Sequence, residues 1–450
     1  MRVVLVSTYE LGHQPFGLSS PKAWLVRDGH DVVCVDLAVA TLDSAELAIL
    51  AADLVAFYLP MHTATRLAIP VIERVKQLNP HARLACYGLY APLNRELLRG
   101  LGVETTVGAE FEPALAQLAN GASPAEQNAV ASMPRLTFLT PDRSDLPDLS
   151  AYSHLTQNGT KITAGYTEAS RGCKHLCRHC PVVPVYQGQF RVVQREVVLA
   201  DIRHQVAAGA RHITFGDPDF FNGPTHAMRI VEDFHAEFPD VSYDATIKIE
   251  HLKQHRDLLP RLKETGCLFV TSAVESVDDS VLAKLEKGHT RQDVDRALLI
   301  LRAAGIALRP SLVSFTPWTT LQDYIDVLEF MESRDLIDHV DSVQYSIRLL
   351  VPPGSLLLSR PDTKAWLGPL SEESFSYGWS HPDSRMDELH AQVTRIVEQA
   401  VSRNEDARVT FYRILDAAYR ARGDEARIRP APEITPLRLR PPRLTEAWFC

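Results

Sequence analysis

Short apolar runs alternate with helix-period stretches along most of this 450-residue chain, and that alternation restricts what it can fold into. Over residues 1–120 the runs are Val3–Val6, Val32–Val35, Leu54–Tyr58, Arg83–Tyr87 and Glu104–Val107. Between the third and fourth runs, Leu67, Ile69, Val71, Ile72, Val75 and Leu78 recur at helical spacing. Uniformly apolar strands separated by helices form parallel sheets covered on both faces. The expectation is an α/β protein whose residues 1–120 make a doubly wound, Rossmann-like domain. Ligands meet such a sheet at the carboxyl ends of its strands. The residues there are Thr8, Tyr9, Glu10 and Gly12 after the first run, Pro60 and His62 after the third, and Gly88 and Tyr90 after the fourth; His13 shares the first loop.

The alternation stops over residues 121–160, where Pro124, Pro134, Pro141 and Pro147 stand among Asp142, Asp145 and Asp148 and read as a linker. It resumes at Lys161. Runs at Ile162–Ser170, His212–Phe215, Val241–Ile247, Leu268–Ala273, Ile306–Val313 and Ser342–Leu349 are separated by helical patterns, among them Val197–Ala208, His226–Glu237, Thr290–Ala304 and Thr320–Ser333. Six such units predict a partial (βα)6 barrel over residues 161–354, with functional groups at the carboxyl ends of its strands. Residues 355–428 read as mostly helical, with Met386–Val401 amphipathic, and residues 429–450 as a Pro- and Arg-rich extended tail ending at Cys450.

The end of the first barrel run carries Cys173, Cys177 and Cys180 at C-x₃-C-x₂-C spacing. Thiolates this close are soft metal ligands. They suit an iron–sulfur cluster with one iron open, or a zinc site with His175 or His179 as fourth ligand. After the second run, Gly216 allows close backbone approach, and Asp217 and Asp219 can accept hydrogen bonds from an ammonium or cap the next helix. Glu275 and Ser276 end the fourth run, where a carboxylate suits ribose hydroxyls. Strand alternation sets Lys248 and Glu250 on one face, and if that face is the barrel lumen Lys248 is a buried charge in need of a partner. Arg348 suits carboxylate recognition. Both are candidate catalytic groups, and both also fit structural ion pairs.

The cysteine loop, with Gly172 before it, resembles the signature of the radical S-adenosylmethionine (SAM) superfamily. That resemblance implies a [4Fe–4S] cluster on Cys173, Cys177 and Cys180, with SAM chelated at the open iron and cleaved reductively to a 5′-deoxyadenosyl radical. It sets Gly216, Asp217 and Asp219 at the SAM ammonium, Glu275 and Ser276 at its ribose, with Lys287-Gly288-His289-Thr290 following, and Phe315 against its adenine. Residues 1–120 resemble the cobalamin-binding domain that precedes many radical SAM cores. The D-x-H-x-x-G motif is absent, so cobalamin is allowed as a further cofactor and not required. The whole chain resembles radical SAM proteins with a Cys-selenocysteine-Ala-Glu-Pro or Cys-Cys-Ala-Glu-Pro tail, and the related arsinothricin-biosynthesis proteins. This implies a catalytic role for Cys450 and a reading frame that continues through UGA. It also implies transfer of a methyl or 3-amino-3-carboxypropyl group from SAM to a soft nucleophile such as arsenite. A corrinoid or iron–sulfur sensor without turnover is the alternative from another class.

A net charge of −9 argues against general binding of nucleic acid or anionic membranes. Val3–Val6 is too short for a signal peptide or a membrane span, and seven Cys with three clustered fit a reducing cytoplasm. Cys34 and Cys86 read as structural thiols within strands. The expected partners are a small-molecule substrate and an electron donor such as flavodoxin or ferredoxin, and the expected enzyme is oxygen-sensitive.

Overall fold

The computed structural model describes residues 1–108, 110–122, 135–428 and 438–445. Its N-terminal sheet contains β1 (Arg2–Ser7), β2 (Asp31–Asp36), β3 (Leu54–Tyr58), β4 (Arg83–Tyr87) and β5 (Thr105–Val107) in the order β2-β1-β3-β4-β5, with every pairing parallel. Side-chain alternation explains why the strands are apolar throughout. Val4 and Val6 of β1 pack with Ile72 and Val75 on one face, while Val3 and Leu5 pack with Leu18, Leu25 and Leu115 on the other. The strand order reverses between β1 and β3, which opens a crevice at their carboxyl ends.

The second sheet is a curled half-barrel. Its parallel strands are β7 (Thr160–Thr167), β10 (His212–Phe215), β11 (Ser242–Thr246), β12 (Cys267–Glu275) and β13 (Ala307–Leu312), and β6 (His154–Gln157) lies antiparallel beside β7. Helices Arg195–Ala207, Pro224–Glu237, Arg291–Ala304 and Leu321–Ser333 return the chain between strands, within a few residues of the sequence pattern. Thr290 and Thr320 open the last two with capping boxes to Asp293 and Asp323. Two short strands, β8 (Ser170–Gly172) and β9 (Phe190–Val192), form a separate antiparallel pair that flanks the cysteine loop.

Two sequence expectations are adjusted. The sixth unit contributes no strand: Ser342–Tyr345 is a 3₁₀ turn, and only a parallel bridge between Phe315 and Arg348 holds that position. Gln344 occupies the edge of β13 instead, its Oε1 accepting from the Leu312 N–H at 2.9 Å. β11 stops at Thr246, and Lys248 is the residue before helix Ile249–Gln254, so strand alternation does not reach Glu250.

Residues 355–428 hold helices Ser384–Ser402 and Ala407–Arg422, which bury Met386, Leu389, Val393, Phe411 and Ile414 against the barrel, together with a hairpin of β14 (Leu367–Ser371) and β15 (Ser376–Trp379). Farther on, Arg438 pairs with Asp338 and Asp406 at 2.6 and 2.8 Å, and β16 (Arg443–Leu444) joins the barrel sheet antiparallel to β6. Among the described residues no helix is long and apolar enough to cross a membrane.

Candidate functional site

The cysteine loop is fixed at its base. Gly172 has φ +76°, and a Cβ there would lie 2.3 Å from the Tyr186 ring and 2.6 Å from the Gln189 carbonyl oxygen, so only glycine makes this turn into Cys173. Asp217 accepts from the Ser170 hydroxyl at 2.5 Å and the Ala169 N–H at 2.9 Å. Asn222 donates to the Gly172 carbonyl at 3.2 Å and accepts from the Lys174 N–H at 3.2 Å. Gly216 is required for a different reason: a Cβ would sit 1.9 Å from the Tyr166 hydroxyl. Gly216 and Asp217 therefore position the loop from behind.

All three loop cysteines are free, Cys177 buried and Cys173 and Cys180 partly so. Burial pushes the thiols of Cys173 and Cys180 up, Cys180 to about 12, with neighbouring sulfurs adding to the rise. Buried thiols on one short loop become thiolates when a metal binds them. The donor set fits an iron–sulfur cluster with three protein ligands.

Two polar groups frame the loop. On one side Glu275, at φ +63° after an irregularity in β12, accepts from Lys287 at 3.1 Å and His179 at 3.2 Å. Burial pushes the Glu275 carboxyl up, but Lys287 and His179 outweigh it and hold it down at about 2. On the other side Asp219, His175 and His251 converge, with one ligand atom of each within 4.8 Å of the others. Asp219 lies 2.7 Å from His251 Nδ1 and 3.7 Å from His175, and its other oxygen accepts from the Phe221 and Lys248 N–H groups. It is thus a cap and a site-facing carboxylate together. Lys248 Nζ reaches His175 Nδ1 at 3.0 Å and Glu250 at 3.2 Å. Burial, then Lys248 and His251, lower His175 to about 4.

The other sequence candidates lie elsewhere. Ser276 accepts from the Asp278 N–H in a turn. Phe315 is buried in the core, its ring 4.7 Å from Tyr324 and 4.9 Å from His390. Arg348 pairs with Asp387 at 2.8 Å, donates to the Trp379 carbonyl and lies 3.6 Å over the Trp379 ring, a structural anchor for β15. Cys450 falls outside the described residues. The sequence reading missed His251 and the pairing of Lys287 and His179 with Glu275. The signal for His251 was its place one helical turn past Lys248.

At the carboxyl ends of β1 and β3 lies a cavity of about 150 Å³ that runs to the back of the cysteine loop, with Glu10, His13, Tyr58, Tyr166, Glu168 and Gly172 in its wall. Drug-sized ligands occupy roughly 300–1,000 Å³, and a corrin is larger than those. Gly17 lets the Tyr58 ring pack against this wall, standing 2.1 Å from where a Cβ would be. The enclosed part of this cavity is smaller than a corrin.

Residues 167–331 match the radical SAM superfamily. The tRNA-2-methylthio-N(6)-dimethylallyladenosine synthase of Desulfosudis oleivorans is 30% identical over 198 residues, 42% of each chain. The ribosomal protein uS12 methylthiotransferase RimO of Geobacter sulfurreducens is 26% identical over 220 residues, 44% of this chain and 48% of its own. The chain spans about half the length of these relatives. Among solved structures, the cobalamin-dependent SAM radical enzyme OxsB aligns with TM-score 0.68 at 14% identity over 89% of this chain and 67% of its own. The radical SAM methyltransferase TsrM of Kitasatospora setae aligns with TM-score 0.60 at 17% identity over 74% and 73%. Both likenesses are of fold. The chain carries a radical SAM superfamily domain and is an enzyme; that domain implies a [4Fe–4S] cluster and SAM.

Proposed function

We propose that this chain cleaves SAM reductively at a cluster held by Cys173, Cys177 and Cys180 and acts on a small molecule. The observation that carries this reading is the charge-paired Glu275, set at a barrel strand end and hydrogen-bonded to His179 within the cysteine loop. A carboxylate kept ionised there accepts ribose hydroxyls without changing its protonation. Asp219, supported by His251, accepts from the SAM ammonium, and Lys248 balances the SAM carboxylate. Asp217 and Asn222 keep the loop rigid, and burial of Cys177 excludes water from one side of the site. When bound, a three-thiolate cluster supplies the electron that breaks a carbon–sulfur bond of SAM. The electron donor is a flavodoxin or ferredoxin, and the compartment is the cytoplasm.

Anaerobic reconstitution tests the reading. About four iron and four sulfide per chain are expected, with loss on Cys173→Ala, Cys177→Ala or Cys180→Ala and retention in Cys34→Ala and Cys267→Ala. 5′-Deoxyadenosine after reduction supports the radical route. Full iron loading in the triple mutant would sink the assignment.

A second reading, transfer of a SAM-derived methyl or 3-amino-3-carboxypropyl group to a soft nucleophile such as arsenite, is favoured by where β16 lies. This strand is antiparallel to β6 and so runs the same way as β7, toward the cysteine end. Thr445 bonds His154, and the adjacent Ser153 N–H bonds the Gly12 carbonyl at 2.9 Å, beside the cavity. Methylthioadenosine as the product would mark aminocarboxypropyl transfer. Unchanged arsenite-dependent turnover in Cys450→Ser would remove Cys450 from it.

A further inference from the structure

The cavity between the N-terminal strands and the cysteine loop has more carboxyl groups than its own cations neutralise. Glu10 is 5% exposed; the Gly17 N–H bonds its carboxylate, and its Oε2 is buried with no partner. Glu168 faces it from the barrel side. Close behind are Glu112 and Glu110, and both oxygens of Glu110 are buried without partners. Against these four stands Arg171, already shared between Glu168 at 2.6 Å and Glu112 at 2.7 Å. Arg143 lies within range of Glu10 but is committed to Asp201 at 2.8 and 3.0 Å, and Arg191 lies within range of Glu110. Burial pushes Glu10, Glu110 and Glu168 up, Glu110 to about 7, and at Glu168 the Arg171 pair offsets only part of that rise. His13 supplies none, because burial lowers it to about 4.

The rest of the wall is aromatic. Tyr58, Phe111, Tyr166 and Tyr186 line the same space. Aromatic faces beside carboxylates recognise organic cations. The volume suits a molecule the size of an amino acid, and the strand-order reversal between β1 and β3 is where such sheets take their ligands.

We propose that this cavity binds a small amine of amino-acid size, its ammonium on Glu10 and Glu168 between the tyrosine rings, with the rest of the molecule toward Gly172 and the cysteine loop. The amine is the substrate, a statement that rests on the radical SAM reading above. The N-terminal domain then serves as the substrate-binding half of the enzyme rather than as a corrinoid carrier.

Calorimetry on the anaerobically reconstituted full chain tests this, with putrescine, L-ornithine and L-lysine as probes and 1,4-butanediol as putrescine's uncharged counterpart. At least one amine binds in a one-to-one ratio, and the diol binds at least roughly tenfold more weakly, the range expected for a lost charged hydrogen bond. Glu10→Gln weakens the amine by a similar factor. Met61→Trp, which fills the cavity from its other rim and leaves the carboxyls alone, weakens it as well, while iron and sulfide content stays at the wild-type level in both. Absence of amine binding, wild-type affinity in both variants, or stoichiometric uptake of aquacobalamin in place of amines overturns the proposal. Failure of the radical SAM reading would instead appear as missing iron or uncleaved SAM, which calorimetry with amines does not depend on.

Discussion

Glu275 and Glu10 are both buried carboxyls at the carboxyl end of a parallel strand, Glu275 as its last residue and Glu10 just past it, one in each sheet. Lys287 and His179 surround Glu275, which is held at about 2. Glu10 has a tyrosine wall and other carboxyls around it and is pushed the opposite way. The difference is one of partners and not of depth, since burial raises both. A carboxylate with its cation supplied by the protein is a finished acceptor for hydroxyls. A carboxyl without one is a vacancy for a cation from outside. On the proposed reading the barrel carboxylate serves a cofactor with sugar hydroxyls, and the N-terminal one receives positive charge.

The strongest way to break this contrast is to remove the paired carboxylate. Glu275→Ala leaves the buried Lys287 and the partly buried His179 without it, and breaking a buried pair costs about 3–5 kcal/mol. Chemical denaturation should show a loss of that order. SAM affinity should fall roughly tenfold to a hundredfold while iron content persists. Unchanged SAM affinity would remove Glu275 from the ribose site.

A pH profile sharpens the contrast with a smaller effect. Asp217 and Glu110 are each raised to about 7 by burial. Between an unfolded value of about 4 and that point, the folded chain holds more protons than the unfolded one, so stability falls as pH rises through the window. Glu275 acts oppositely: its contribution is complete above about 4.3 and is lost only as pH falls toward about 2. The melting temperature of the iron-free chain should therefore drop by several degrees, on the order of 2–4 °C per kcal/mol, from about pH 5.5 to about pH 8. A flat or rising profile would place compensating cations in the cavity.

The smallest expected effect is a gain. Glu110→Met replaces an unpartnered buried carboxyl with an apolar chain of similar volume, which should stabilise by about 1 kcal/mol near pH 8 and flatten the slope. A loss of stability would mean that Glu110 is paired in solution.

Much of this architecture was legible because it rests on local patterns. The runs at Leu54–Tyr58 and Arg83–Tyr87 match β3 and β4 residue for residue, since strands buried on both faces admit little but apolar side chains. The place of Glu275 at the end of its strand was legible in the same way. What failed depended on contacts far apart in sequence. Ser342–Leu349 has a strand's composition, yet the Gln344 side chain takes the hydrogen bond a sixth strand would have made. Arg348 reads the same in sequence whether it meets a ligand or Asp387 and Trp379. Glu10 was visible as a loop residue, but the missing partner of its Oε2 exists only after two domains meet.

Arg171 stands two residues before Cys173 and is bound through Glu112, on the N-terminal helix Glu112–Ala119. Its guanidinium also lies 5.0 Å over the ring of Phe111 and 5.6 Å over that of Phe16. The barrel alone offers it only Glu168 among these partners. The loop that carries Cys173 therefore takes part of its counter-charge from the N-terminal half of the chain. A barrel expressed without residues 1–120 would begin with an under-compensated charge two residues from Cys173. It would gather iron slowly and lose it early, whatever the state of its cysteines.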